Sequence, residues 1–71
     1  MPKLKKIDLR DADLSEVLKD LREVKGVSQA AASEGSGVPI ATIKNSEAGK
    51  FEPAYKTLVK LGAYYGVRWV I

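Results

Sequence analysis

The chain predicts an all-α fold, a bundle of short helices with strand character confined to its two ends. Three observations carry that expectation. Apolar residues recur at helical spacing in two segments, glycines stand where helices should stop, and the β-branched and aromatic residues cluster at the C-terminal end. Seventy-one residues make one small domain. A domain of that size buries only about 60% of the surface its unfolded chain exposes, so its core is marginal.

Residues 3–10, Lys-Leu-Lys-Lys-Ile-Asp-Leu-Arg, form a basic arm in which Ile7 and Leu9 alternate with Asp8 and Arg10, as in a short strand. From Asp13 the period changes. Leu14, Val17, Leu18, Leu21 and Val24 share one helical face, and Asp13 with Glu16 three residues on has the spacing of a capping box. Lys25 and Gly26 supply the stop, so a first helix is expected over 14–25. Ser28 is the expected cap of a second helix over 29–35, weakened by Ser33, Gly35 and Ser36. Gly37 makes the turn, Pro39 is tolerated at a helix start, and a third helix is expected over 40–47, stopping near Gly49. Pro53 opens a fourth over about 54–65, with Tyr55, Leu58, Leu61 and Tyr65 on one face and Gly66 at its end. The tail Val67-Arg68-Trp69-Val70-Ile71 is either a strand or an apolar patch that needs cover. Ile7 and Leu9 can pair with it to close the domain, or two copies can pair across a dimer. The expected organisation is therefore a basic arm (1–12), a helical domain (13–66) and an apolar tail (67–71).

The chain has no Cys and no His, which excludes disulfides, thiolate nucleophiles, zinc sites and imidazole acid–base chemistry. The carboxylates of the first helix stand beside lysines and arginines, which reads as i,i+4 surface pairing rather than a catalytic pair. An enzyme is therefore not expected, and no cofactor or metal is implied. The absence of Cys fits cytoplasmic localisation. No apolar run approaches the roughly 20 residues that span a bilayer, and the N-terminal lysines are not followed by the apolar run of a signal peptide, so no membrane partner is expected.

Formal net charge is +3, and its distribution is more telling than its size. Residues 1–43 carry seven Lys/Arg and seven Asp/Glu, which cancel, whereas residues 44–71 carry five Lys/Arg against Glu47 and Glu52. The excess lies from the third expected helix onward, either as a patch for a nucleic-acid backbone or as a solvated surface that happens to be basic.

The order of signals from Ser28 to Pro53 is the punctuation of a helix-turn-helix: Ser28-Gln29, then Gly37-Val38-Pro39-Ile40-Ala41-Thr42-Ile43, then Glu47-Ala48-Gly49-Lys50, then Pro53. Over roughly residues 14–67 the chain resembles the Cro/C1-type (XRE-like) helix-turn-helix family of bacterial and phage regulators. The resemblance implies a lambda-repressor-like bundle of four to five short helices. In such a bundle the second and third helices bind double-stranded DNA and the third lies in the major groove.

Carried onto this sequence, the resemblance makes Gln29 a phosphate ligand that also braces the third helix, at a helix N-terminus whose free N–H groups suit an anion. The outward positions of the third helix are Ile40, Ala41, Lys44 and Asn45, the expected base contacts, while Ile43 points into the core. An Asn amide can bond adenine bidentately, a Lys can reach guanine or phosphate, and Ile40 and Ala41 can touch thymine methyls. Thr42 and Lys50 fall at phosphate positions. Tyr55 fits either a hydroxyl on the DNA backbone or the core. Lys56 and Lys60 share a face that equally serves solubility. Lys3, Lys5 and Lys6 form either an arm on the phosphates or in a minor groove, or a disordered basic end.

The sequence departs from the family where the family buries apolar residues: Ala32, Ser33 and Ser36 stand in the second helix and Ser46 in the third. Each loss of a buried leucine costs about 2–5 kcal/mol, so something must compensate: Trp69 with Tyr64 or Tyr65 packing inward, or a partner subunit. The leading function is a sequence-specific transcriptional regulator, a repressor or Cro-like switch acting as a homodimer. The alternative is a protein-interaction module, such as an antitoxin whose apolar tail clasps a protein partner, with DNA binding secondary.

Overall fold

The computed structural model describes residues 5–10 and 13–70. The chain runs β1 (Lys5–Asp8), α1 (Leu14–Lys25), α2 (Gln29–Ser36), α3 (Ile40–Glu47), α4 (Tyr55–Tyr65) and β2 (Val67–Val70). This is the all-α bundle of short helices expected, with a strand at each end. Lys3 and Ile71, included above in the arm and the tail, lie outside the described residues.

The two strands pair with each other, in parallel, with Ile7 opposite Trp69 and Asp8 opposite Val70. Parallel neighbours need a long crossover, and here all four helices of the described chain supply it. The Leu9 N–H extends the ladder to the Val70 carbonyl at 2.8 Å. Of the two arrangements open to Ile7 and Leu9, the structure shows pairing within one chain.

The core is small. Leu18 comes from α1, Ala32 from α2, Ile43 from α3, Leu58 and Leu61 from α4, Val67 and Trp69 from β2, and Val38 from the α2–α3 turn. Trp69 is 5% exposed, and its indole N–H donates to the Leu58 carbonyl. A Cβ on Gly62 would stand 2.8 Å from the indole nitrogen and 2.9 Å from the Val67 carbonyl, so only glycine lets β2 lie this close to α4. Tyr64 and Tyr65 pack partly buried against the same core. Trp69 and the tyrosines thus supply the apolar surface that α2 lacks. Of the tail, Val67 and Trp69 belong to the core, Arg68 is exposed and Val70 is half-buried.

The serines that stood in place of apolar residues are tied to backbone. Ser46 Oγ donates to the Thr42 carbonyl (2.7 Å) and Ser36 Oγ to the Ala32 carbonyl (2.6 Å). Among the described residues no buried side-chain nitrogen or oxygen lacks a partner. A satisfied hydroxyl is tolerated in a core, and its small volume lets short helices approach closely.

Three local expectations need correction, and one open alternative is decided. Asp13 is the N-cap of α1, but its carboxylate accepts from Ser15 Oγ (2.8 Å) instead of capping a helix N–H, so no capping box forms. Val24 is 87% exposed; it lies at the edge of the α1 stripe, beyond the reach of the neighbouring elements. Of the two readings open to Tyr55, core is excluded: it is 57% exposed, because α4 turns Leu58, Leu61 and Gly62 inward and leaves its first residue outside. The i,i+4 pairing foreseen on α1 is absent among the described residues; Arg22 turns inward to α3 instead.

Candidate nucleic-acid interface

The α2–turn–α3 unit is stitched locally. Ser28 Oγ accepts from the Ala31 N–H (3.0 Å), capping α2. Gly37 ends that helix in the left-handed region at φ 77°, a conformation that side chains with a Cβ resist. The turn is then laced by hydroxyls: Ser33 Oγ donates to the Val38 carbonyl (2.6 Å), and the Val38 N–H donates to Ser36 Oγ (3.2 Å). Val38 itself is buried, so the turn is anchored in the core at its midpoint. Pro39 fixes the entry angle as the N-cap of α3.

Within α3 the two faces differ, and Asn45, expected to face outward with Ile40, Ala41 and Lys44, is less exposed than they are. Ile43 and Ser46 are buried, Ile40, Ala41 and Lys44 are exposed, and Thr42 and Asn45 are half-buried. The Asn45 carbonyl accepts from the Lys50 N–H (3.0 Å), closing the end of α3 and placing Lys50 in the adjoining turn. Lys50 is exposed, as is its neighbour Phe51 at 45%.

A polar cluster sets how α3 is held. Arg22 of α1 donates from Nε to Glu47 Oε2 (2.8 Å) and from Nη2 to Glu47 Oε1 (3.0 Å). Its third donor, Nη1, reaches the Val27 carbonyl in the α1–α2 loop (2.9 Å), and Gln29 Nε2 at the start of α2 donates to Glu47 Oε1 (3.2 Å). One carboxylate on the last residue of α3 therefore gathers α1, the α1–α2 loop and α2. The side chains of Arg22 and Glu47 are 16% and 5% exposed. The hydrogen bond to Glu47, opposed by burial and aided by the Glu47 charge, raises the Arg22 pKa. Burial first, and then the Glu47 charge, push the nearby Tyr65 hydroxyl up to about 12.

The cluster also settles the electrostatics of the face. Glu47 is the acidic residue of α3, and Arg22 neutralises it. Lys44 and Lys50 stand exposed on that side.

A family model described as helix-turn-helix matches residues 18–70, about three-quarters of the chain. The chain belongs to the Cro/C1-type helix-turn-helix family. That is a family of DNA-binding transcription regulators, and the match runs from within α1 to the end of β2. Nothing among curated proteins or solved structures matched. No described helix is long and apolar enough to cross a membrane.

Against the residues singled out from sequence, the helix-turn-helix gathers Ile40, Ala41, Lys44 and Asn45 along α3, with Thr42 beside them and Lys50 in the turn that follows. Gln29 stands at the first position of α2, its amide turned to Glu47. Tyr55 stands apart, at the first position of α4. Sequence reasoning missed Arg22 and Glu47 as a pair and Phe51 as an exposed aromatic. Twenty-five residues separate Arg22 from Glu47, and no periodicity links them.

Proposed function

We propose that this helix-turn-helix chain is a sequence-specific repressor or Cro-like switch that occupies a promoter as a homodimer and reads the major groove with α3. The observation that carries the reading is the exposed row Ile40, Ala41 and Lys44, with Asn45 beside it, on a helix whose far end is clamped by Arg22 and Gln29. Fixing both ends of a short helix pre-organises its side chains before DNA arrives, which lowers the ordering cost of binding.

In this reading Asn45 and Lys44 bond base edges, and Ile40 and Ala41 meet thymine methyls. Gln29, Thr42, Lys50 and the Tyr55 hydroxyl take phosphates and fix the register without reading sequence. Two apolar residues at the leading edge give few hydrogen bonds to bases, so DNA shape carries part of the specificity. No residue has a catalytic role, and the chain works on DNA without a cofactor, in the cytoplasm.

Selection from random duplex oligonucleotides with the purified chain tests the proposal. The expected outcome is an enriched two-fold site with half-sites about one helical turn, 34–36 Å, apart. Affinity for that site should fall steeply with salt as counterions are released. Recovery of unenriched sequence, or binding that is equal for all duplexes at every salt concentration, would refute base reading by α3.

A further inference from the structure

Strand β1 has β2 on one side and, among the described residues, no strand on the other. Backbone groups point alternately to the two sides of a strand. The Leu9 N–H points at β2. The backbone groups of Lys5 and Ile7 therefore point the same way, and those of Lys6 and Asp8 face the open side. The free edge ends at Arg10, whose N–H is taken by Asp8 Oδ1 (2.9 Å). Beyond the edge lies a groove of about 410 Å³, with β1 as one wall and Val17, Leu21 and Val24 of α1 as the other. Those three residues fall at i, i+4 and i+7, one line along the helix. Val24 is 87% exposed, more than any other large apolar side chain among the described residues. An open strand edge thus faces an uncovered apolar row.

We propose that this groove takes a segment of a partner protein by strand addition, and that the segment alternates apolar with acidic residues. A strand laid along Lys6 and Asp8 meets their free N–H and C=O groups. Its own side chains then alternate between two faces. Those on the inner face come over Val17, Leu21 and Val24, and only apolar ones cover that row. Those on the outer face come beside the solvent face of the sheet, which is basic. Ile7 and Leu9 pack against the core, so Lys6 and Asp8 turn away from it. The exposed Arg68 is the register partner of Lys6 on β2, and Asp8 is already paired with Arg10 at 3.5 Å. That face carries three cations against one carboxylate, and a Glu or Asp of the added strand beside Lys6 is its complement. Asp20 is exposed at the rim on the α1 side, which keeps acidic residues out of the inner row.

The same features disfavour a second copy of β1 as the occupant. Its apolar residues, Ile7 and Leu9, are committed to its own core. Two copies edge to edge would also bring two basic faces together. Lysines on an edge strand deter self-pairing and leave the edge open to an acidic partner. No wall of the groove includes a residue that the DNA-binding proposal uses, so the two bindings are tested separately.

Amide and methyl NMR of the isotope-labelled chain, titrated with short synthetic peptides, tests the site. A peptide alternating valine with glutamate should shift the Lys6 and Asp8 amides and the Val17, Leu21 and Val24 methyls. A peptide of the same composition, with its valines and glutamates in separate blocks, should not. N-methylation of one alternate set of the peptide's amides should abolish binding, and N-methylation of the other set should spare it. Val24→Glu should raise the dissociation constant at least about ten-fold. Lys6→Glu should do the same and make an alternating valine–lysine peptide the better ligand. Val59→Glu, on α4, should leave the affinity unchanged. Val24 and Lys6 are exposed, and the spectrum of each variant reports directly that it is folded. No shift at millimolar peptide, equal binding of the block peptide, or indifference to both sets of N-methyl groups would overturn the proposal. Shifts of the same amides that follow protein concentration alone would give the edge to a second copy. Shifts caused by duplex DNA and by no peptide would give Lys5 and Lys6 to phosphate. Either of these results would also overturn it.

Discussion

Arg22 on α1 grips Glu47 at the end of α3 with two parallel hydrogen bonds, 2.8 and 3.0 Å long, in a site where the carboxylate is almost fully enclosed. The pair closes the bundle across its longest helix and fixes the tilt of the helix proposed to read DNA. A planar guanidinium matches a carboxylate in a way that an ammonium cannot, and its remaining donor still reaches the Val27 carbonyl.

Removing one member strands the other. Arg22→Ala leaves the Glu47 carboxylate buried with only the Gln29 amide, and such losses cost about 3–5 kcal/mol. A large share of a small domain's stability, roughly 5–15 kcal/mol, would go with it. Urea unfolding should show that loss. The pair Arg22→Met with Glu47→Leu should lose less than either single alanine, since no charge is then stranded. Equal or greater loss in the double variant would mean that the ion pair itself, not the stranded charge, sets the cost.

Gly35 offers a test in which the sign reverses. In an exposed helix, glycine to alanine should gain about 1 kcal/mol. Here a Cβ would overlap the ring of Tyr64, which is itself held by Tyr65 at a centroid distance of 5.4 Å and by Lys25 Nζ at 4.7 Å over its face. Gly35→Ala should therefore destabilise, by about 1–3 kcal/mol as for other overpacked sites. In a Tyr64→Ala background the same substitution should stabilise. Thermal unfolding of the four proteins of this cycle reads the result, and stabilisation by Gly35→Ala in the parent chain would show that the ring moves freely.

That glycine marks where the sequence stops being legible. Helix boundaries were readable because caps and stops are local: Ser28, Gly26, Gly37 and Gly66 act on their neighbours, and α1 and α3 begin and end where those residues and the periodicity place them. The exposed face of α3 was readable because Ile43 fixes its phase. Gly35 reads locally as a flaw in a weak helix, and its reason lies on α4, twenty-nine residues away. The serines of α2 and α3 read as lost core, because hydroxyls that bond their own helix or turn are invisible to a hydrophobicity pattern. Arg22 reads as one more surface charge on α1. Tyr55 and Val24 sit at the margins of their apolar stripes, where only the neighbouring elements decide between core and solvent.

Tyr65 predicts the alkaline limit. Burial and the Glu47 charge raise its pKa to about 12 in the folded chain, against about 10 for an unfolded tyrosine. The folded state therefore holds the phenol proton more tightly than the unfolded state does. Its contribution to stability is complete below pH 10 and is lost as the pH rises from about 10 to about 12. Absorbance titration of the three tyrosines should show a late step that Tyr65→Phe removes. The same variant should flatten the fall of unfolding free energy across that window. A titration in which Tyr65→Phe leaves the late step in place would assign it to another tyrosine.

The division of labour on the proposed DNA face is tested by Asn45 and Lys50, which lie five residues apart at the end of α3 and are joined by a backbone hydrogen bond of 3.0 Å. Asn45→Ala should relax the preference at one base pair of the selected site by about 1–3 kcal/mol and leave the salt dependence unchanged, because an amide displaces no counterion. Lys50→Ala should weaken selected and random duplexes by the same factor and lower the salt slope by about one. Neither substitution touches the Arg22–Glu47 clamp, so unfolding curves close to the parent's are expected from both. Anisotropy titrations at two or more salt concentrations, on the selected site and a scrambled one, separate the two effects. If both variants lose affinity equally on the two duplexes, α3 holds the DNA backbone without reading bases.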